Sequence, residues 1–481
     1  MTKSIAVLLL LSTFATLPLA AQAPAATRSG STGIAPSDTT MAARLIREIH
    51  DHQQALADVE YLADVIGPRL SGSPGLAKAH DWAAKTMSSR GIANVHREGY
   101  SFGPSWTRGA ANARLTSHNG IRLSIAQLAW TPATKGVVTA PVVRYTGKSM
   151  ADLDALVGTF KGKIVLDATI PAVGSVSGAD SAAFIRIAKA MEREGAVAYI
   201  AQSDKVLALN MGGGFAMGPT PMWRYPFRPQ IPNAIITREN YSLIERLLAR
   251  GEPVTMELEL SGTTSAQPVQ QYNTIGEIRG SEKPDEVVII GAHMDSWDLG
   301  TGATDNGTGT VSVIEALRAI KALGVSPKRT IRGILFSAEE QGKAGSTAYV
   351  AAHMSEMQNV QAVLIDDLGT GHITGWALQK FENARPYMAA AIAPLDELGV
   401  HSLPLEWSSD SDHWPFAQAG VPAFFGVQDA EDYFTTTHHS QFDTFSHVKP
   451  DGLIQGATAL AVTAWELANM DGRLPHRAPA K

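Results

Sequence analysis

From Tyr272 onward, short apolar runs alternate with segments whose apolar residues recur at helical spacing, and this alternation narrows the folds open to the chain. Residues 286–291, 330–336, 360–365 and 422–426 read as strands; 310–323, 346–357, 384–398 and 453–469 read as helices. Regular strand–helix alternation predicts an α/β fold: a mostly parallel, doubly wound sheet with helices on both faces. Ligands in such folds sit at the carboxyl ends of the strands. Residues of metal-ligand type lie at or just after those predicted ends, or in a loop late in the chain.

The rest of the chain is organised around this unit. Residues 41–66 and 76–90 carry helical apolar spacing, separated by the turn-rich run 67–75. Between about 130 and 265 the pattern changes to strand-like 136–143, 162–166 and 195–200, followed by a Gly-, Met- and Pro-dense loop over 210–232. No candidate ligand falls there, so 130–265 reads as an inserted β-rich domain within a domain made of 41–129 and 266–472. Residues 473–481 read as a tail. At the start, Lys3, an apolar stretch from Ile5 to Leu19 and Ala20-Ala21-Gln22-Ala23 form a secretory signal over 1–21, with 22–40 as a flexible leader. The expectation is an exported protein, periplasmic or extracellular, with no stable membrane anchor once the signal is removed.

Composition removes several classes of function. There is no cysteine among the 481 residues, which excludes disulfides, thiolate ligands and a cysteine nucleophile, so any metal must rest on His, Asp and Glu. A formal charge of -6 and the lack of a long basic run argue against a nucleic-acid partner.

Five groups then carry the chemistry: His293-Met-Asp295, Thr304-Asp305-Asn306-Gly307, Glu339-Glu340, Asp366-Asp367 and His438-His439 with Asp443 four residues on. Two histidines with carboxylates between them suit a pair of divalent metals near zinc in character. His293 and Asp295 are two apart in an extended segment, so they share a side, and Asp295 is expected to hold the second ring nitrogen of His293. Asp305 precedes a predicted helix, where the positive helix end favours a carboxylate that can bridge two ions. Of Glu339 and Glu340, one can bind metal while the other acts as base. Periodicity does not choose between Asp366 and Asp367, nor between His438 and His439. Asp298 is a weaker candidate. Asn306-Gly-Thr308 is a glycosylation sequon, but a glycan there would block the proposed site.

These motifs resemble the co-catalytic zinc exopeptidases, a family that includes secreted bacterial aminopeptidases and the plasma glutamate carboxypeptidase branch. The resemblance runs from about 45 to 470 and includes Ile66-Gly-Pro-Arg-Leu70-Ser-Gly-Ser-Pro74. It implies two zinc ions per chain, one on His293, Asp305 and Asp367, the other on Asp305, Glu340 and His439. Glu339 becomes the general base for a metal-bridged hydroxide, and Asp295 the partner of His293. The insertion resembles a protease-associated domain. The implied activity is exopeptidase cleavage of short peptides. Ser411-Asp412-His413 resembles the aminopeptidase form of its loop and favours the N-terminus; the alternative is a dipeptidase or carboxypeptidase. Asp412, Trp297, Trp407 and Tyr433 are expected near the pocket, and a homodimer is compatible. A non-catalytic binding ectodomain and a single-zinc acyltransferase of the glutaminyl cyclase type share the scaffold.

Overall fold

The structure is a computed structural model that describes residues 39–145, 158–167, 189–210 and 230–479. The expected signal peptide, most of the leader and most of the 210–232 loop lie outside these residues. The first described helix is Met41–His52. The Thr40 hydroxyl caps it by accepting from the Ala43 N–H at 3.3 Å, and Leu45, Ile46 and Ile49 are buried. The helical spacing over 41–66 is not one helix. It breaks at Gln53, whose side-chain carbonyl accepts the Leu56 N–H and starts a second helix, Ala55–Glu60. Helix Pro74–Ser89 is capped by Ser73 with Pro74 at its first position.

Fifteen strands are described. In chain order they are β1 (Ala93–Thr107), β2 (Ala111–Leu115), β3 (Ile121–Leu123), β4 (Ile125–Gln127), β5 (Val138–Tyr145), β6 (Ile164–Asp167), β7 (Ala198–Gln202) and β8 (Asn233–Ile236). They continue with β9 (Thr255–Leu260), β10 (Thr263–Ile278), β11 (Lys283–His293), β12 (Arg329–Phe336), β13 (Val360–Ile365), β14 (Ile373–Ala377) and β15 (Ala423–Gln428). One sheet has the order β1-β10-β12-β11-β13-β15-β14. Its four central strands are parallel, as expected, while β1, β10 and β14 pair antiparallel at the edges. The sheet is therefore mixed, with a parallel centre.

β11 runs through the middle and is buried on both faces. Val288, Ile290 and Ala292 face a core shared with helices Met41–His52, Pro74–Ser89, Thr308–Ala322 and Pro450–Asn469. Val287 and Ile289 face the opposite core with Tyr349, Val350 and Phe416 from helices Ala344–Ala352 and His413–Gln418. Alternation along the strand produces this division. Each such side chain contributes roughly 1.5–3 kcal/mol of burial, which fixes the register that carries His293 to the strand end.

The second sheet has the order β3-β2-β9-β5-β6-β7-β8-β4. It begins at Ala111, so the boundary expected at 130 leaves out β2, β3 and β4. Within 473–479, the described part of the expected tail, Leu474 is buried, the Arg477 N–H donates to Gly420 O, and the Arg477 guanidinium lies 3.3 Å from the Phe381 ring centre. Among the described residues no helix is long and apolar enough to cross a membrane.

Candidate metal centre

The parallel strands end on one edge of the sheet, and each delivers a ligand-type residue there. His293 is the last residue of β11; Glu339 and Glu340 follow the end of β12; Asp366 and Asp367 follow β13. Asp305 sits in the loop before helix Thr308–Ala322, and His439 in the loop after β15. All are at most 9% exposed.

His293 Nε2 lies 2.9 Å from Asp367 Oδ1 and 3.4 Å from Asp305 Oδ1. His439 Nε2 lies 3.0 Å from Glu340 Oε2 and 3.5 Å from Asp305 Oδ2. Asp305 thus presents one oxygen to each histidine. Ligand bonds of about 2.1 Å in tetrahedral geometry put donor atoms roughly 3.4 Å apart, so the two clusters have the span of zinc sites. Their electrostatics agree. Burial pulls the His293 imidazole toward its neutral form, but Asp367, Asp295 and Asp305 outweigh it and raise its pKa well above the usual value, so the pocket attracts a cation. Asp305 is held below the ordinary carboxylate range: burial opposes this, but its contact with His293 and the charges of His439 and His438 prevail. Asp305 Oδ2 and Glu340 Oε1 are buried with no hydrogen-bond partner among the described residues. Orphaned acceptors of this kind fit a metal.

Geometry sets the members of each doublet apart. Asp367 faces His293, whereas Asp366 turns to Ser312 on helix Thr308–Ala322. His439 contacts both Asp305 and Glu340. His438 also brings a ring nitrogen into the group around Asp305, stacked on His439 at 3.7 Å between ring centres, but the short contact to Glu340 belongs to His439. Asn306 donates its side-chain N–H to Asp366 O and Asp367 Oδ1, so the sequon's nitrogen is already engaged inside the protein.

Several expectations change. His293 Nδ1 is 3.0 Å from the backbone carbonyl of Asp295 and 3.6 Å from its carboxylate, so the main chain of Asp295 joins its side chain beside the ring. The Asp295 carboxylate also accepts from the Ser71 hydroxyl and from the backbone N–H groups of Glu339 and Glu340. Asp298 is away from the donor clusters: it forms a two-pronged ion pair with Arg108 at 2.6 and 2.9 Å. Trp297 is buried edge-on to His439, Tyr433 is buried against His438, and Trp407 is half exposed against Trp414. Asp412 is fully buried, and burial pushes its carboxyl up to about 7.

Two residues emerge only in three dimensions. The Asp443 carboxylate accepts from the Thr304 N–H at 2.6 Å, the Thr304 hydroxyl and the Asp305 N–H at 3.1 Å, fixing the loop that carries Asp305. Arg69 is fully buried and donates to the carbonyls of Met294, Gly67, Thr301 and Gly302 at 2.6–3.2 Å. It ties the loop after His293 to the loop before Asp305. Both residues stand in motifs visible in the sequence, but nothing there reveals what they hold.

Residues 273–464 match peptidase family M28. Carboxypeptidase Q of Mus musculus is 33% identical over 419 residues, 86% of this chain and 85% of the relative. The chain belongs to peptidase family M28. Carboxypeptidase Q of Homo sapiens is 31% identical over 420 residues with the same coverage. A peptidase M28 precursor from Shewanella amazonensis, 32% identical, has a TM-score of 0.77 over 92% of this chain and 98% of its own. A zinc aminopeptidase of Bacillus subtilis, 21% identical, shares the fold at a TM-score of 0.64 over 87% of this chain and 95% of its own. Membership of M28 makes the chain a metallo-exopeptidase, a hydrolase.

Proposed function

We propose that this M28 member is an exported zinc exopeptidase acting on short peptides, with His293, Asp305 and Asp367 holding one zinc and Asp305, Glu340 and His439 a second. The observation that carries two ions rather than one is the division of Asp305, whose Oδ1 and Oδ2 lie 3.4 and 3.5 Å from different histidines. Zinc so held supplies Lewis acidity that polarises a carbonyl and lowers the pKa of water.

The protein's own part centres on Glu339. Its backbone is pinned by Asp295 and its Oε1 lies 4.0 Å from Lys343 Nζ. Burial raises its proton affinity well above that of an ordinary glutamate, which suits a carboxylate that must take a proton from the attacking water and give it to the leaving nitrogen. The resemblance of Ser411-Asp412-His413 to the aminopeptidase form of its loop favours action at the free N-terminus. The carboxypeptidase Q relatives favour a second reading, a dipeptidase or carboxypeptidase. The second sheet, read as a protease-associated-like insertion, contributes to the border of the site: the Gln441 N–H donates to Leu209 O, and Asn210 bridges to Ser440 beside His439.

The test is digestion of matched peptides that are free, N-blocked or C-blocked, with zinc and with chelator, alongside zinc counted per chain. Two zincs per chain and chelator-sensitive shortening of C-blocked peptides are expected. One zinc per chain, or cleavage unaffected by chelator, would refute the reading.

A further inference from the structure

Glu339 and Glu340 stand in a closed loop, Ser337 to Gly345, that leads from the end of β12 into helix Ala344–Ala352. Its two ends meet: the Gly345 N–H donates to Ser337 O at 3.0 Å and the Ala344 N–H to Ala338 O at 2.9 Å. Inside the loop, the N–H groups of Gly342 and Lys343 both donate to Glu339 O at 2.8 Å. On either side of the glutamates the backbone is left-handed at residues that carry a Cβ, Ala338 at a φ of 55° and Lys343 at 60°. L-residues avoid that region. The turn that lifts Glu339 into the site is therefore held by its surroundings rather than by its own preference.

One buried side chain joins the two ends. Asn273 lies on β10 next to the Thr274–Leu335 pair with β12; its Oδ1 accepts the Ser337 N–H at 3.3 Å, and its Nδ2 donates to Gly345 O at 2.9 Å. The fit is close. A Cβ on Gly345 would lie 2.3 Å from Ser337 O and 2.5 Å from Asn273 Oδ1, so only glycine admits the amide at this point. A short carboxamide offers both an acceptor and a donor, whereas Asp or Leu of similar shape lacks one or both. The edge strand β1 adds a further hold. The Ser337 hydroxyl donates to Tyr272 O at 2.7 Å, so its oxygen accepts from the Tyr100 hydroxyl at 2.8 Å, which also reaches Ser337 O at 2.9 Å.

We propose that Asn273 and Tyr100 are positioning residues for the reaction: together they clamp the ends of the loop, so that Ala338 keeps its left-handed turn and the Glu339 carboxylate stays where it can take a proton from the attacking water. The proposal rests on the reading of Glu339 as the base. It assigns two strands a part in catalysis although neither supplies a ligand. Asp295 holds the N–H groups of Glu339 and Glu340 from the loop after β11; Asn273 and Tyr100 hold the ends of the same loop from β10 and β1.

The test is a double-mutant cycle in the full chain at saturating zinc, with wild type, Asn273→Ala, Glu339→Gln and the two combined, assayed on one unblocked short peptide. Asn273→Ala is expected to lose about 10- to 100-fold in kcat, the scale for a catalytic group displaced by around an ångström, with KM changed by less than about threefold. In the Glu339→Gln background the same change should cost less than about threefold, because a clamp that acts through Glu339 has nothing left to position. Hydrogen exchange of the zinc-free chain reads the clamp itself: the N–H groups of Ser337 and Gly345 should exchange at least about tenfold faster in Asn273→Ala, with the amides of β11 and β13 unchanged. Losses that multiply in the combined variant overturn the proposal, as does wild-type kcat in Asn273→Ala. So does exchange that quickens by the same factor in β11 and β13, which would mean general loosening of the sheet. Should Asn273→Ala not fold, Tyr100→Phe enters the same cycle: a loss of about 3- to 10-fold in kcat, the range for one hydrogen bond, that disappears beside Glu339→Gln supports the clamp. A loss that persists there rejects it. Full turnover by Glu339→Gln would refute the base reading itself, whereas multiplying losses or unchanged exchange at Ser337 and Gly345 refute the clamp alone.

Discussion

The carboxylate of Asp295 accepts the backbone N–H of Glu339 at 3.2 Å and, through its other oxygen, that of Glu340 at 3.4 Å. One buried side chain thus sets the height at which the proposed base and a proposed ligand emerge from the end of β12, while its backbone carbonyl faces His293. Asp295→Ala leaves two N–H groups unpaired and frees Glu339 to move. The expected result is a fall in kcat of about 10²-fold, the cost of misplacing a catalytic group by around an ångström, with zinc still bound. Unchanged kcat would show that Glu339 does not depend on this support.

Glu339→Gln keeps the shape of the side chain and removes its capacity to accept a proton. Loss of general base action lowers kcat by about 10²–10⁴-fold, while zinc content measured by elemental analysis stays at the wild-type value. Full turnover would remove Glu339 from the proton pathway.

The paired histidines allow a direct comparison. His439 contacts Glu340 and Asp305, whereas His438 stacks on it at 3.7 Å. His439→Ala should lose about half the bound zinc and nearly all activity, and His438→Ala should keep both zincs. Equal zinc loss in the two variants would mean that the second ion is shared between the rings.

How much of this was legible in the sequence depends on what each residue answers to. β11 and β13 were readable because strands buried on both faces are continuous apolar runs, and residues 360–365 are buried throughout. β1 was not, because it is the outer edge of the sheet and its residues are mostly exposed or half-buried. Asp298 could not be placed, since its partner Arg108 is 190 positions away. Asp366 and Asp367 differ only in which side of a strand end they face, and His439 reaches Glu340 from a left-handed φ of 59° that no periodicity encodes. In those two cases the family resemblance, rather than the spacing, supplied the choice.

Arg69 offers a test of positioning without touching a ligand. Its guanidinium serves four carbonyls from three segments, a fork that lysine cannot reproduce. Arg69→Lys should weaken zinc affinity by about 10–100-fold, the usual range for residues that orient a metal's ligands, as measured by competition with a chromogenic chelator. Wild-type affinity in a folded Arg69→Lys protein would show that the loops hold themselves.

Asp366 makes a prediction about pH. Burial first, and the adjacent Asp367 charge second, push its carboxyl from 3.8 up to about 7, against a hydrogen bond from Ser312. The folded chain therefore keeps this proton over a range in which the unfolded chain has lost it. Where the unfolded state binds fewer protons, stability falls as pH rises, so the contribution is intact below about pH 4 and lost by about pH 7, up to about 4 kcal/mol at 1.36 kcal/mol per unit. Burial also pushes Asp412 and Asp443 to about 7 and raises Asp367, Glu339 and Glu340, so the wild-type slope over this window is shared among several groups. Asp366→Asn removes one share: urea unfolding in chelator should vary less steeply between pH 4 and 7 than in wild type. Zinc on Asp367 would neutralise the second cause of the shift, so the difference between the two proteins should shrink when zinc is restored. An unchanged slope in the variant would mean that Asp366 is ionised throughout, with a cationic partner that the contacts around Ser312 do not provide.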